Sequence, residues 1–381
     1  MNTIEQAIDT LQKKLQISIK EFSKAAANEN QYYLIDEEFI SLQLTNLHFE
    51  NFDSLQPVFK MVKGLEFDDC TFNTDNIIEG LKQFSVLESI NLDANSLATI
   101  EPFLQLETIK KLDLIIDDEI IPTNGLVLNF KGLKSIKNLR IFSYNVGTNK
   151  MIVFKGAEYL TTLEKLTIEC DCIIDELNKF KNLKYLETES PQLQITDKLE
   201  SLKTLEMNIY KEDYNIYSLE QFPNLENLNI NGGYKINLGE LKKLKILCIS
   251  GMNFSLENIS TFDNLPNLEQ LELSNSSEIS EIKNLDKLSN LKVLNLSENY
   301  EIENINGIEN LKNLEYINLY KNNISDISVL NKLPKLKEVN VAGNNITQED
   351  IEKQLEKPEI ACFLSLPNVP EVASNIWRNT D

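Results

Sequence analysis

The chain has 381 residues, 42% of them hydrophobic, and carries 37 Lys and Arg against 59 Asp and Glu, a net charge of −22. An acid surplus on that scale excludes an extended phosphate-binding surface, so nucleic acid and anionic membrane are not expected as partners. The single histidine, His48, excludes a His-rich metal site and any His-dependent triad not built on that residue.

The first predicted element is a helix. Ile4, Ile8, Leu11, Leu15, Ile19 and Phe22 lie three or four apart and define one apolar stripe over residues 3–27. Thr3 with Gln6 reads as a capping box. Residues 1–38 are read as an N-terminal helical cap, with a dimerising or partner-binding helix as the alternative. The opening residues hold no basic cluster followed by an apolar core, so no signal peptide is expected. No run approaches the ~18 apolar residues of a membrane span. The five cysteines, Cys70, Cys170, Cys172, Cys248 and Cys362, are scattered, which suits a reducing compartment, and the expected location is the cytoplasm.

From residue 39 one pattern repeats: apolar-x-x-apolar-x-apolar. Its first position falls at 39, 62, 87, 109, 136, 163, 183, 202, 225, 244, 268, 291, 314 and 336, a step of about 23 residues. The clearest copies are Leu291…Leu294…Leu296, Leu314…Ile317…Leu319 and Leu336…Val339…Val341. The second and third apolar residues are two apart, so they share one side of a short strand. Such a strand cannot bury its face alone, and stacked copies form a parallel sheet over one continuous core. Asn95, Asn299, Asn322 and Asn344 follow their strands, where an amide side chain satisfies backbone groups of the turn. Cys70 takes the same place. Further on, Ile302, Ile305, Ile308 and Leu311 recur every third residue, which predicts 3₁₀ or short helical turns.

The repeats starting at 109 and 136 are each 27 residues long. Their extra length holds Leu126-Val127-Leu128-Asn129-Phe130 and Met151-Ile152-Val153-Phe154, each followed by Lys-Gly. These insertions, at 117–132 and 144–156, are predicted to form a pair of extra strands on the convex side, against the alternative of buried irregular loops. In the middle of the chain the turn position holds Asp171, Pro191, Tyr210 and Gly233, and the unequal repeats predict uneven curvature over 110–240. After residue 346, Gln348–Glu356 reads as a short helix stopped by Pro358. Residues 347–381 are read as a C-terminal cap and tail containing the only tryptophan, Trp377.

On these residues the sequence resembles the leucine-rich repeat superfamily over 39–346. The segments LSNLKVLNLSENYEIENINGIEN and LKNLEYINLYKNNISDISVLNK are similar to the 22-residue class of bacterial internalins and of a eukaryotic phosphatase regulatory subunit. The resemblance implies a curved α/β solenoid of about 14 repeats, with the parallel sheet on the concave face and a cap at each end. It implies a non-enzymatic scaffold or regulator that binds another protein through that concave face, without cofactor or metal and as a monomer. Two alternatives follow from the same likeness: a secreted or injected virulence or adhesion factor, and a regulatory subunit of an enzyme such as a phosphatase. Some bacterial leucine-rich repeat effectors carry a Cys-x-Asp ubiquitin-ligase site in a helical domain after the repeats. Cys170-Asp171-Cys172 instead falls inside the repeat frame, only 35 residues follow the repeats, and two thiols supply at most two of four zinc ligands. The triplet is read as structural.

The exposed strand positions predict the binding face. Their central row runs Gln43, Glu66, Asn91, Asp113, Arg140, Thr167, Glu187, Glu206, Asn229, Cys248, Glu272, Asn295, Asn318 and Asn340. Flanking rows add Asp68, Asp93, Glu169, Glu189 and Glu338 against Lys111 and Lys165. The predicted contacts are Glu66, Asp68, Asp93, Asp113, Arg140, Phe142, Glu169, Tyr185, Glu187, Glu189 and Glu206 in an acidic half that steers a basic partner. Tyr316, Asn318 and Tyr320 follow in an amide-rich late half with aromatic anchors. The competing account is that 59 acids populate every face.

Overall fold

The computed structural model describes residues 3–22, 29–73, 76–144, 151–174, 177–189, 198–209, 215–216, 219–232, 235–251, 262, 264–276, 278–282 and 285–364. The chain divides into two units, Met1–Ser201 and Leu202–Asp381. Trp377, Pro191, Tyr210 and Gly233 lie outside the described residues.

The first unit opens with helix Ile4–Leu15. Its capping box is closed, with Thr3 Oγ1 accepting from Gln6 N–H and Gln6 Oε1 accepting from Thr3 N–H. Ala7, Ile8 and Leu11 are buried, and the helix packs on the 3₁₀ turn Asp53–Val58. The stripe expected to run to Phe22 ends at Leu15. Gln16 turns left-handed at φ 57°, Ile17 N–H reaches back to Gln12 O at 3.3 Å, and the β-branched Ile17 and Ile19 favour extended backbone. Lys20–Glu21 is therefore a strand. It pairs in parallel with Gln31–Leu34, which pairs antiparallel with Ile40–Thr45.

From Ile40 the repeats stack in register. Strands Ile40–Thr45, Val62–Asp68, Ser89–Ala94, Lys111–Ile116, Asn138–Ser143, Lys165–Glu169 and Tyr185–Thr188 form one parallel ladder. The second apolar position of each copy supplies a continuous buried row: Leu42, Leu65, Ile90, Leu112, Leu139, Leu166 and Leu186. Each is at most 2% exposed, and full burial of such a side chain stabilises by roughly 1.5–3 kcal/mol. Behind the early strands, Phe49, Phe52, Phe67, Phe72 and Phe103 pack ring against ring.

The two insertions form strands, and they recruit a third. Leu126–Asn129, Ile152–Lys155 and Cys172–Ile174 build a separate three-stranded parallel sheet. Alternation buries Leu126, Leu128, Ile152, Phe154, Cys172 and Ile174. The Lys-Gly that ends each insertion has a physical cause. A Cβ on Gly132 would lie 2.4 Å from Leu104 O, and Gly156 stands at φ +81°, a conformation that disfavours any side chain.

In the second unit Thr204–Ile209, Asn227–Gly232, Ile246–Ser250, Gln270–Ser274, Val293–Asn295, Tyr316–Asn318, Glu338–Asn340 and Ala361–Phe363 pair in parallel. Their core row is Leu205, Leu228, Leu247, Leu271, Leu294, Ile317 and Val339. Ile302, Ile305, Ile308 and Leu311 are all buried, with a 3₁₀ turn at Ile308–Asn310. Helix Gln348–Gln354 starts at a Thr347–Asp350 capping box and ends two residues before the expected Glu356.

Asparagines tie the late repeats together. Asn299 Nδ2 donates to Leu273 O and Leu296 O at 2.7 and 2.9 Å. Asn322 repeats this onto Leu296 O and Leu319 O, and Asn344 onto Leu319 O and Val341 O. The oxygens accept in turn: Asn322 Oδ1 from Asn299 N–H, and Asn344 Oδ1 from Ile324 N–H. Asn95 does not join such a ladder and is exposed. The strand before it runs through Ala94, in register with Ile116, so residue 95 falls in the bend and Ser96 caps the helix Leu97–Phe103.

Candidate functional site

The strand side chains that point away from the core form the candidate site, and the register places them row by row. In the first unit the central row Gln43, Glu66, Asn91, Asp113, Arg140, Thr167 and Glu187 is paired residue to residue. Two residues along, Asp93, Ile115, Phe142 and Glu169 are aligned, and Asp68 is in register with Thr45. In the second unit the corresponding row is Glu206, Asn229, Cys248, Glu272, Asn295, Asn318 and Asn340. The predicted contact set thus divides between units: Glu206, Tyr316, Asn318 and Tyr320 belong to the second and the other ten to the first.

Within the first unit several acids are already matched. Arg140 grips Glu169 with two hydrogen bonds, Nε to Oε1 at 3.0 Å and Nη2 to Oε2 at 2.5 Å. Lys111 Nζ lies 2.9 Å from Asp113. Glu187 accepts from Tyr185 O–H at 3.1 Å and from Thr167 at 3.4 Å. Phe142 carries the Arg140 guanidinium 5.6 Å from its centroid and meets Tyr144 edge-on at 4.7 Å, and Tyr144 is 74% exposed. Glu189 is half-buried beside Glu187.

Glu66, Asp68 and Asp93 differ, for none of them forms an ion pair among the described residues. Burial, then the charges of Asp68 and Asp113, push the Glu66 carboxyl above its usual range. Burial, then Asp68, Asp69 and Asp117, do the same to Asp93. The Tyr33 phenol beside them is pushed up by burial and by Glu66. These half-buried groups repel one another, and a cation brought among them would relieve that cost.

The second unit presents a different surface. Tyr316, Asn318 and Tyr320 are half-buried on alternate positions of one chain segment. Lys337 and Lys321 sit over the two rings at 5.7 and 4.9 Å. Asn318 Oδ1 accepts from Tyr320 N–H at 3.1 Å, so its amide is committed to the strand end. Cys248, in the central row, has its thiol pushed up to about 12 by burial and by Glu272 and Glu206.

One feature escaped sequence reasoning. From the copy at 87 onward, the residue just after the first apolar position forms a rung of charge. Glu88 pairs with Lys110, Glu164 with Lys137 and Lys184, Glu226 with Lys203 and Lys245, Glu269 with Lys292, and Glu315 with Lys337. Their backbones extend the ladder, as in Glu226 N–H to Lys203 O at 2.8 Å. The unbroken run of Glu and Lys at that one frame position, every Glu flanked by Lys, was the legible signal. His48 is exposed, with Nδ1 2.8 Å from Thr71 Oγ1 and Nε2 3.2 Å from Glu50. Cys170 and Cys172 are buried and not disulfide-bonded, and their mutual hydrogen bond, then burial, raises the Cys170 thiol. Among the described residues no three His, Cys, Asp or Glu side chains converge as a metal site.

Residues 312–353 match the family model for leucine-rich repeats in two copies. No curated protein matches the sequence. Among solved structures, the chain is similar to an internalin from Listeria monocytogenes, at 17% identity over 96% of this chain and 89% of that one, with a TM-score of 0.41. It is also similar to a chain of the mouse RP105/MD-1 complex, at 18% identity over 87% of this chain and 73% of that one, TM-score 0.46. A leucine-rich repeat protein of Leptospira interrogans gives 18% identity over 74% and 91%, TM-score 0.32. Residues 312–353 are leucine-rich repeats by direct match, and the strands stepping at the same period with an asparagine ladder behind them give the chain a leucine-rich repeat fold.

Proposed function

We propose that the chain is a non-enzymatic interaction module that takes a basic segment of a protein partner on the outer face of the first unit's sheet. The trio Glu66, Asp68 and Asp93 carries this reading. Three carboxylates crowd a half-buried patch in which none forms an ion pair among the described residues, and two of them are held above their usual range by burial first and then by that crowding, which the more distant Lys111 only partly offsets at Glu66. Lys or Arg side chains from a partner supply the missing charge, while Phe142, two strands along from Asp93, and Tyr185, two strands further, serve as anchors to one side of the patch. The amide and aromatic surface at Tyr316, Asn318 and Tyr320 is a secondary contact. The described free thiols suit work in the cytoplasm.

The test is affinity capture from a lysate of the native host, with wild type beside a Glu66→Lys, Asp68→Lys, Asp93→Lys variant that melts at the same temperature. A stoichiometric partner held by wild type and lost by the variant supports the reading. A partner retained equally by both overturns it.

A further inference from the structure

The second sheet of the first unit ends in an open edge, and that edge lines a groove. Among the described residues, strand Leu126–Asn129 pairs on one side only, with Ile152–Lys155. The phase of the ladder is fixed by Leu126 N–H to Met151 O at 2.8 Å and Phe130 N–H to Lys155 O at 2.9 Å. Alternate residues of a strand direct their N–H and C=O to opposite sides, so those of Val127 and Asn129 point away from the sheet. The groove there measures about 680 Å³, in the range of sites that hold a small ligand. Its far wall is Ala98, Ile100, Pro102 and Leu104, from helix Leu97–Phe103 and the turn after it. Glu101 is the only charged side chain in the lining. On the outer face of the same sheet Val127, Val153 and Ile173 stand in register, with Val127 50% exposed.

We propose that this groove receives an extended peptide segment of a partner protein, which adds to Leu126–Asn129 as a fourth strand. The occupant must supply backbone hydrogen-bonding groups, because that is what the edge presents. It carries a β-branched apolar residue extending the row Val127, Val153, Ile173, and its next side chain faces the apolar helix wall. The helix wall recesses the edge, so a folded second copy, whose own edge is walled in the same way, cannot reach it. Glu101 favours a neutral or basic segment over an acidic one. Four residues of edge span roughly 13 Å, enough to hold four to six residues of peptide. The surface is distinct from the acidic sheet face and stands or falls independently of it.

The test is fluorescence anisotropy of the full chain with a labelled Lys-Thr-Val-Ile-Val-Thr-Lys peptide. Its control is the same peptide N-methylated at the three central residues, which cannot pair. Val127→Pro removes one outward N–H and leaves the ladder bonds of Leu126 and Leu128 in place, an edge position where proline is tolerated. Ala98→Trp fills the groove from the opposite wall, so the result does not hang on one variant. Expected are saturable binding by the plain peptide, none by the N-methylated one, a loss of about tenfold or more in each variant, and no change in Glu66→Lys. Absence of saturable binding, equal binding of both peptides, or unaltered binding in both groove variants overturns the proposal. So does concentration-dependent self-association that Val127→Pro abolishes, which would assign the edge to a second copy.

Discussion

Cys70 donates its thiol to the carbonyl of Leu44, 3.2 Å away and 26 residues back, the same step by which Asn299 reaches Leu273. One frame position therefore does one job in both units: it satisfies a buried carbonyl of the preceding repeat. Burial pushes the Cys70 thiol up to about 11, so the group keeps the proton it donates. A thiol is a weak donor where an amide makes several bonds, and the two versions differ in what they contribute.

That difference is measurable. Asn322→Ala removes one of two side-chain donors from each of the carbonyls of Leu296 and Leu319 and takes the acceptor from the N–H of Asn299. It should lower unfolding free energy by about 2–3 kcal/mol in urea, whereas Cys70→Ala should cost about 1 kcal/mol. Equal costs would mean that the ladder is held by the backbone alone.

The two sides of the sheet should respond oppositely to charge. Leu228 is 1% exposed and in register with Leu205 and Leu247, so Leu228→Asp buries an unpaired carboxylate and should cost roughly 3–5 kcal/mol. Glu206→Lys, on the outer row, should leave the melt within about 0.5 kcal/mol of wild type. The reverse order in thermal melts would show the faces to be exchanged.

Glu226 bridges Lys203 and Lys245 at 2.7 and 2.8 Å, which hold its carboxyl down at about 2. A carboxyl lowered in the folded state contributes stability above its unfolded pKa and loses it as pH falls toward the folded one. Glu226→Gln should therefore melt lower at pH 7, by about 1 kcal/mol for a pair this open to solvent. The gap to wild type should close below the ordinary carboxylate range and vanish near pH 2.

Glu66 and Asp93 have the opposite sign. Their carboxyls are raised in the folded state, so the stability they contribute is full in acid and is lost as pH rises through the carboxylate range. Glu66→Gln should be more stable than wild type at pH 7 and equal to it in acid. A destabilised variant at neutral pH would reveal a cation already seated at the patch.

The sheet register was legible because a period-two strand inside a long repeat leaves few solutions: Leu291, Leu294 and Leu296 fix a face wherever the pattern recurs. The central row of side chains followed directly. Features that depend on how far an element runs did not follow. The strand Ser89–Ala94 overruns the frame and displaces Asn95 from the ladder position, and a left-handed Gln16 ends a helix whose apolar stripe continues. The strand Cys172–Ile174 was hidden because it lies in a repeat of ordinary length and is called into the second sheet by Ile152. Charge was legible as a sum and as rows, but not which acids are matched. That Asp113 pairs with Lys111 and Glu169 with Arg140, while Glu66, Asp68 and Asp93 form no ion pair among the described residues, depends on side-chain reach along and across strands.

The central claim is that the acidic patch of the first unit is the contact surface. Carbodiimide footprinting of carboxylates, read by mass spectrometry with and without the captured partner, tests it most directly. Glu66, Asp68 and Asp93 should lose reactivity in the complex, while Glu349 and Glu352, exposed on the helix Gln348–Gln354, should label as before. Unchanged labelling of the trio, with protection only around Tyr316, Asn318 and Tyr320, would contradict the account and move the site to the second unit.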